Sequence, residues 1–348
     1  VEKIHFSGAF YGACIFLGSI IGAGFATGQE VYRFFAFYGP DGLFGVALCG
    51  ILFFFICKNT FELSIKIQAP SFFYFLFEAF GPSAAQFYHV IATSFLFTVF
   101  GVMGGGMAAL GKELFSLPHW VGFSVYLLIM LFVLSGSERY LAILSAILCP
   151  IMVIGVSFLC LYVLISKDIS VFSVLGVRPF GAAPAMSALL YCGYNSLFCI
   201  PILSTLYRVV PNQNTSRFCA FLCAGVFCLC LFLITLALGG FYGEIKSLEL
   251  PLLYIATLAG SKVKLVYFIV LSSAIITTGA GSGFVLKKSI GPHKWASFVL
   301  CSASVIFGLF DFSFLVKNFY GFFGFFGIVL FFLVIFENRR PRLESLDK

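Results

Sequence analysis

Glycines stand at positions 18, 22, 24 and 28 of an otherwise apolar stretch, with Thr27, Gln29, Glu30 and Arg33 close behind. Glycine weakens a helix and lets other groups approach the backbone closely. At membrane depth, broken backbone persists only when buried in protein or lining a wet cavity. Freed N–H groups at the start of the next half-helix attract a carboxylate, and freed carbonyls before the break attract a cation. The competing reading is a small-residue packing face for a neighbouring helix, which leaves Gln29 and Glu30 unexplained. Glu30 and Arg33, three residues apart, share one helix face. They suit an outer gate, a proton carrier at Glu30, or an ion pair near the interface.

Two further constellations carry polar groups inside apolar stretches. Tyr191-Cys192-Gly193-Tyr194-Asn195-Ser196 precedes Pro201. Asn195 needs hydrogen-bond partners there, and Gly193 with Pro201 makes either a local break or a proline kink with Asn195 joining two helices. Ser272, Ser273, Thr277 and Thr278 offer hydroxyl oxygens. With carbonyls from a broken helix they suit Na⁺; alternatively they bond their own helix backbone. Glu78, His89 and His119 receive no chemistry. The motifs HExxH, GxSxG and Walker A are absent, so no enzymatic activity is expected and no catalytic residue is named. The twelve cysteines form no CxxC pair or Cys/His ligand cluster and read as buried thiols.

The elements that position these residues follow from composition. Of 348 residues, 61% are hydrophobic and 10% charged, and mean hydropathy is +1.07. A soluble domain is about one quarter charged, so this chain is expected to be an all-α integral membrane protein with the lipid bilayer as its main partner. Apolar runs predict ten spans: 7–37, 42–67, 83–111, 120–135, 140–165, 183–207, 217–242, 263–286, 295–310 and 313–336. The pieces 71–80 and 251–259, each set between a proline and a glycine, are too short to cross and are expected at the membrane surface. The +7 net charge is thinly scattered, which speaks against a nucleic-acid partner. With the N-terminus in the cytoplasm, thirteen Lys and Arg fall inside and eight outside, placing a multi-pass protein in the cell membrane with both termini cytoplasmic.

The surface pieces, the glycine-rich stretches Gly101–Gly106 and Gly279–Gly283, and the interrupted first and sixth spans each recur at an offset of five spans. An odd offset inverts the second unit relative to the first, as in many secondary transporters. The expected organisation is therefore a 5+5 inverted repeat with discontinuous first and sixth helices: residues 1–168, residues 169–336, and a cytoplasmic tail, 337–348.

Ile21-Gly22-Ala23-Gly24-Phe25 resembles the unwound first helix of the amino acid–polyamine–organocation transporters. The longer Gly22-Ala23-Gly24-Phe25-Ala26-Thr27-Gly28-Gln29-Glu30, followed by Phe34-Phe35, is similar to the YkvI-type membrane proteins of that superfamily, as is Leu190-Tyr191 to Tyr194-Asn195. The resemblance implies the leucine-transporter fold and alternating access for a small organic solute, an amino acid or related amine. By that analogy Gly22, Ala23, Gly24 and Phe25 face Tyr191, Gly193, Tyr194, Asn195 and Ser196 across the solute, with the amides of Ala23 and Gly24 meeting a carboxylate. Carbonyls of Gly18 and Ile21, with Thr277 and Thr278, would hold Na⁺. Proton-coupled relatives place a lysine in the fifth helix; none stands there here, which favours Na⁺ over H⁺ as the coupling ion, with no other cofactor expected. A ligand sensor or receptor subunit on the same scaffold is the alternative, and a channel a third reading.

Overall fold

A computed structural model of the chain describes residues 3–136, 138–167, 184–246, 248–291, 293, 295–310 and 312–339. Among these every regular element is helical. The elements are α1 (Phe6–Ile20), α2 (Ala23–Ala26), α3 (Gln29–Phe34), α4 (Pro40–Ile67), α5 (Phe72–Phe80), α6 (Pro82–Phe115), α7 (His119–Ser135) and α8 (Glu138–Ser166). They continue with α9 (Pro184–Leu203), α10 (Gln213–Gly239), α11 (Tyr242–Ile245), α12 (Pro251–Leu258), α13 (Ser261–Ile290), α14 (Ala296–Ser304) and α15 (Phe312–Arg339). Seven of the described helices are long and apolar enough to cross a membrane, and the apolar segments Phe6–Ile20, His119–Ser135 and Ala296–Leu309 are shorter. Large side chains such as Ile165, Phe132 and Leu309 stand about four-fifths exposed on them, as a lipid-facing surface requires.

Local sequence sets the boundaries. Pro40, Pro82 and Pro251 open α4, α6 and α12 at the first turn, where a missing N–H costs nothing. Ser71 caps α5 by accepting from the Tyr74 amide, and Gly81, at a positive φ of 83° that favours glycine, ends it. Helices α5 and α12 thus form where short surface pieces are expected.

The first span is interrupted twice. Helix α1 stops at Ile20; Gly22 is extended; α2 lasts four residues; Gly28, at φ 82°, turns the chain into α3. The freed carbonyls have partners: Tyr267 Oη donates to Ala26 O, and the Leu252 amide to Thr27 O at 2.8 Å. The sixth span differs from expectation. Helix α9 runs unbroken through Tyr191–Ser196 and stops at Leu203, two residues past Pro201. Gly193 has another task. A Cβ there would lie 2.2 Å from Gly324 O, and one on Gly327 would lie 1.7 Å from Gly193 O. Glycines on both sides let α9 and α15 cross backbone to backbone. The expected ninth span is also divided, α14 passing into a 3₁₀ turn at Val305–Leu309. The tail beyond Arg339 lies outside the described residues.

Contacts fix one end of the bundle. The His5 amide donates to Thr215 Oγ1 and Ser64 Oγ to Ser204 O, while Lys66 Nζ donates to Asn338 Oδ1. The start of α1, the ends of α4, α9 and α15, and the start of α10 therefore share one face, the N-terminal face.

Candidate functional site

The break in α1 lies where α6, α9, α13 and α15 converge. Between them is a small cavity of about 20 Å³, the space of a single water molecule. The α1 break contributes Ser19, Ile20 and Gly22, and Glu30 enters from α3. Phe95, Val99 and Met103 come from α6, Tyr194, Asn195 and Phe198 from α9, Thr278 from α13 and Tyr320 from α15.

Two hollows approach this centre from opposite ends. One, of about 600 Å³, opens on the N-terminal face and is lined by Ile15, Pro201, Ile202, Arg208, Phe284 and Lys288, among others. The other, of about 320 Å³, includes Arg33, Phe34, Tyr38, Ser187 and Leu190. Packed aromatic rings separate the centre from this far hollow. Phe34 lies 5.3 Å from Tyr191 and 5.6 Å from Tyr194, and Tyr194 lies 4.8 Å from Tyr320. Phe198, with Ile20 and Ile202 beside it, bounds the centre on the other side.

Glu30 is the one acidic group among the described lining residues, and no Lys, Arg or His joins it. It is 5% exposed, and Tyr194 Oη donates to its Oε2 at 2.7 Å. Its carboxylate folds back over the interrupted backbone: a Cβ added to Gly24 would lie 1.7 Å from Glu30 Oε1. Only glycine at 24 allows this approach. The place expected for a solute carboxylate, against Gly24, thus holds a carboxylate of the chain itself.

Beside the break, Thr278 Oγ1 donates to Gly18 O at 3.1 Å and Ser19 O at 3.0 Å, tying α13 to the last turn of α1. Thr277 Oγ1 donates to Ser273 O at 2.9 Å within its own helix. A Cβ on Gly18 would meet Ser145 of α8 and Thr277 at 3.6 and 3.7 Å. Gly18, Thr277 and Thr278 are therefore brought together, with Ser19 and Ser145 added. The Ile21 amide bonds Leu17 O.

The expected wall residues divide. Gly22, Tyr194 and Asn195 line the cavity; Asn195 Nδ2 bonds Tyr191 O in its own helix. Ala23 packs on Gly106, and Phe25 packs on Phe227 at 5.1 Å. Ser196 bonds Cys192 O, and Gly193 faces α15. Tyr191 sits behind the wall with its hydroxyl unpartnered. Arg33 lines the far hollow rather than the centre. Sequence reasoning missed Phe95, Val99, Met103, Phe198 and Tyr320, ordinary apolar residues within apolar helices.

No protein-family model matches the chain. It is 26% identical over 313 residues to the uncharacterized protein YyaD of Bacillus subtilis (strain 168), covering 88% of this chain and 90% of that one. It is 22% identical over 289 residues to the uncharacterized membrane protein YkvI of the same organism, covering 80% of each. The similarity to YkvI thus extends far beyond the glycine motif. Among solved structures, a Na⁺-coupled sialic acid symporter in a substrate-bound outward-open state matches with TM-score 0.66 at 13% identity, over 95% of this chain and 79% of that one. A manganese transporter of Eremococcus coleocola matches with TM-score 0.63 at 13% identity, over 96% and 80%. The chain has the fold of these transporters, and the likeness extends to the fold alone.

Proposed function

We propose that this chain is a secondary active transporter moving a small organic solute by alternating access through the centre between α1–α3 and α9. One observation carries the reading. The interrupted helix meets a small cavity carrying Glu30, Asn195 and Thr278 that lies between two hollows on opposite ends of the bundle. A structural helix kink needs no such pair of approaches. A shared fold does not choose the cargo: the two solved relatives carry a sugar acid and a metal ion. An amine or amino acid is the solute class we propose, matched to the polar groups Glu30, Asn195 and Thr278 of the lining; the cavity, about 20 Å³ in this structure, must widen to admit it.

The ten-span path is read as two inverted five-helix units in the cell membrane, with both termini cytoplasmic. On this reading the 600 Å³ hollow is the cytoplasmic vestibule and the aromatic rings are the closed outer gate. Na⁺ is the proposed coupling ion. The carbonyl oxygens of Gly18 and Ser19 and the Thr278 hydroxyl that bonds them, with the Thr277 hydroxyl turned from its own helix, would supply an all-oxygen set beside the α1 break, the donor chemistry a hard cation takes. Bound there, the ion would tie α1 to α13 more firmly than the Thr278 hydroxyl does alone.

The test is uptake into proteoliposomes under an imposed Na⁺ gradient. Accumulation above the outside concentration, abolished when the gradient is collapsed, supports transport. Saturable binding without accumulation supports the sensor alternative and overturns the transport reading.

A further inference from the structure

We propose that the central cavity is a cation site, with Glu30 as counter-ion to the ammonium group of a small amine that carries no free carboxylate. The proposal deepens the transport reading and takes from it only that this cavity receives the solute.

Three observations converge. The first is charge: the cavity lining presents one acidic side chain, Glu30, and no basic one among the described residues. Arg33 lies one turn away on the same helix, but it lines the far hollow. The second is what covers Gly24. An amino acid needs donors for its carboxylate, and against Gly24 the space a side chain would take is already held by Glu30 Oε1. A second carboxylate there would meet like charge at contact distance, with no cation in the lining to offset it. The third is the wall. Phe95, Tyr194 and Tyr320 pack against one another, with ring centroids 4.8 to 6.2 Å apart, directly beside the carboxylate. Aromatic faces with one carboxylate are the environment in which a desolvated ammonium is favoured. Asn195 adds a neutral amide oxygen. The N-terminal hollow, with Arg208 and Lys288 in its lining, presents no acidic side chain among the described residues.

The experiment is a thermal-shift titration of the purified full chain in detergent at fixed Na⁺. Its probes are matched triplets, each an amine, the corresponding acid and the α-amino acid of one skeleton: isobutylamine, isovalerate and valine, then phenethylamine, 3-phenylpropanoate and phenylalanine. Methylamine and ethylamine extend the amine series downwards. The expected result is a saturable rise in Tm with at least one amine, none with its matched acid, and a smaller or absent rise with its amino acid. Glu30→Gln should weaken the amine response at least tenfold. Should that variant elute as aggregate, Glu30→Asp, which keeps the charge and withdraws it by one methylene, should retain the preference for amine at lower affinity. The proposal is overturned if an acid or amino acid stabilises the protein as well as its amine, if the amine response survives Glu30→Gln undiminished, or if no amine shifts Tm.

Uptake at equal pH on both sides separates this inference from the transport reading. An amine bound through Glu30 but never accumulated overturns transport and leaves the cation site standing. A solute accumulated equally by wild type and Glu30→Gln overturns the cation site and leaves transport standing.

Discussion

Thr278 and Glu30 show how single side chains define the two halves of the centre. Thr278 gives one hydroxyl hydrogen to two carbonyls at the end of α1. Thr278→Val keeps the shape and removes that donor, leaving two buried carbonyls short of a partner at a cost of about 1–3 kcal/mol. The expected outcome is a lower Tm in detergent. In uptake assays the Na⁺ concentration for half-maximal rate should rise on the order of tenfold, equivalent to ~1.4 kcal/mol. An unchanged Na⁺ dependence would remove Thr278 from the ion site. Glu30 acts through position rather than through charge alone, since its carboxylate rests on Gly24 and is held by Tyr194. Tyr194→Phe removes that hydrogen bond while keeping the ring. It should weaken amine binding severalfold without abolishing it, by the roughly 0.5–1.5 kcal/mol of a hydrogen bond. A titration as tight as wild type would show that Tyr194 does not position Glu30.

At the scale of elements, glycine does two different jobs that look alike in one dimension. The cluster from Gly18 to Gly28 announces a broken helix, and the break is there, because Gly22 is extended and Gly28 left-handed. Gly193 carries the same signal for a break, yet α9 runs straight through it. The reason lies in Gly324 and Gly327, far along the chain, whose backbones occupy the space a side chain at 193 would need. Nothing local in the sequence names that partner. Gly193→Leu should therefore act as an overpacking mutation between α9 and α15, costing more than about 3 kcal/mol. Gly225→Leu, on a face with nothing within 4 Å, should stay within about 0.5 kcal/mol. Melting curves with size-exclusion profiles check the pair. The short helices α5 and α12 were legible because proline and glycine punctuate them. The cavity walls were not: with 48 phenylalanines in 348 residues, nothing in composition singles out Phe95 or Phe198.

For the molecule as a whole, the arrangement separates the central cavity from a pinned end. On the N-terminal face Asn338 joins helices that are distant in sequence. Its Nδ2 donates to Asn59 Oδ1 and Glu62 Oε2, and Lys66 donates to its carbonyl and Oδ1. This clasp between α4 and α15 is buried, so Asn338→Ala should lower stability by about 1–3 kcal/mol while leaving ligand preference unchanged. Amine selectivity lost along with stability would mean that clasp and centre are coupled. Hydropathy made the lipid setting readable, and seven described helices are long and apolar enough to cross a membrane. The two hollows and the cavity between them arise only when α1, α6, α9, α13 and α15 meet, which no periodicity encodes. The claim that this centre carries solute across the bilayer is tested most directly by concentrative uptake in proteoliposomes. The assay uses radiolabelled members of the amine series, a Na⁺ gradient and equal pH, with wild type, Gly24→Leu and Gly225→Leu compared. The account predicts accumulation above the external concentration for wild type and Gly225→Leu and none for Gly24→Leu, whose side chain would displace Glu30. Accumulation by Gly24→Leu at the wild-type rate, or none by any of the three, would contradict it.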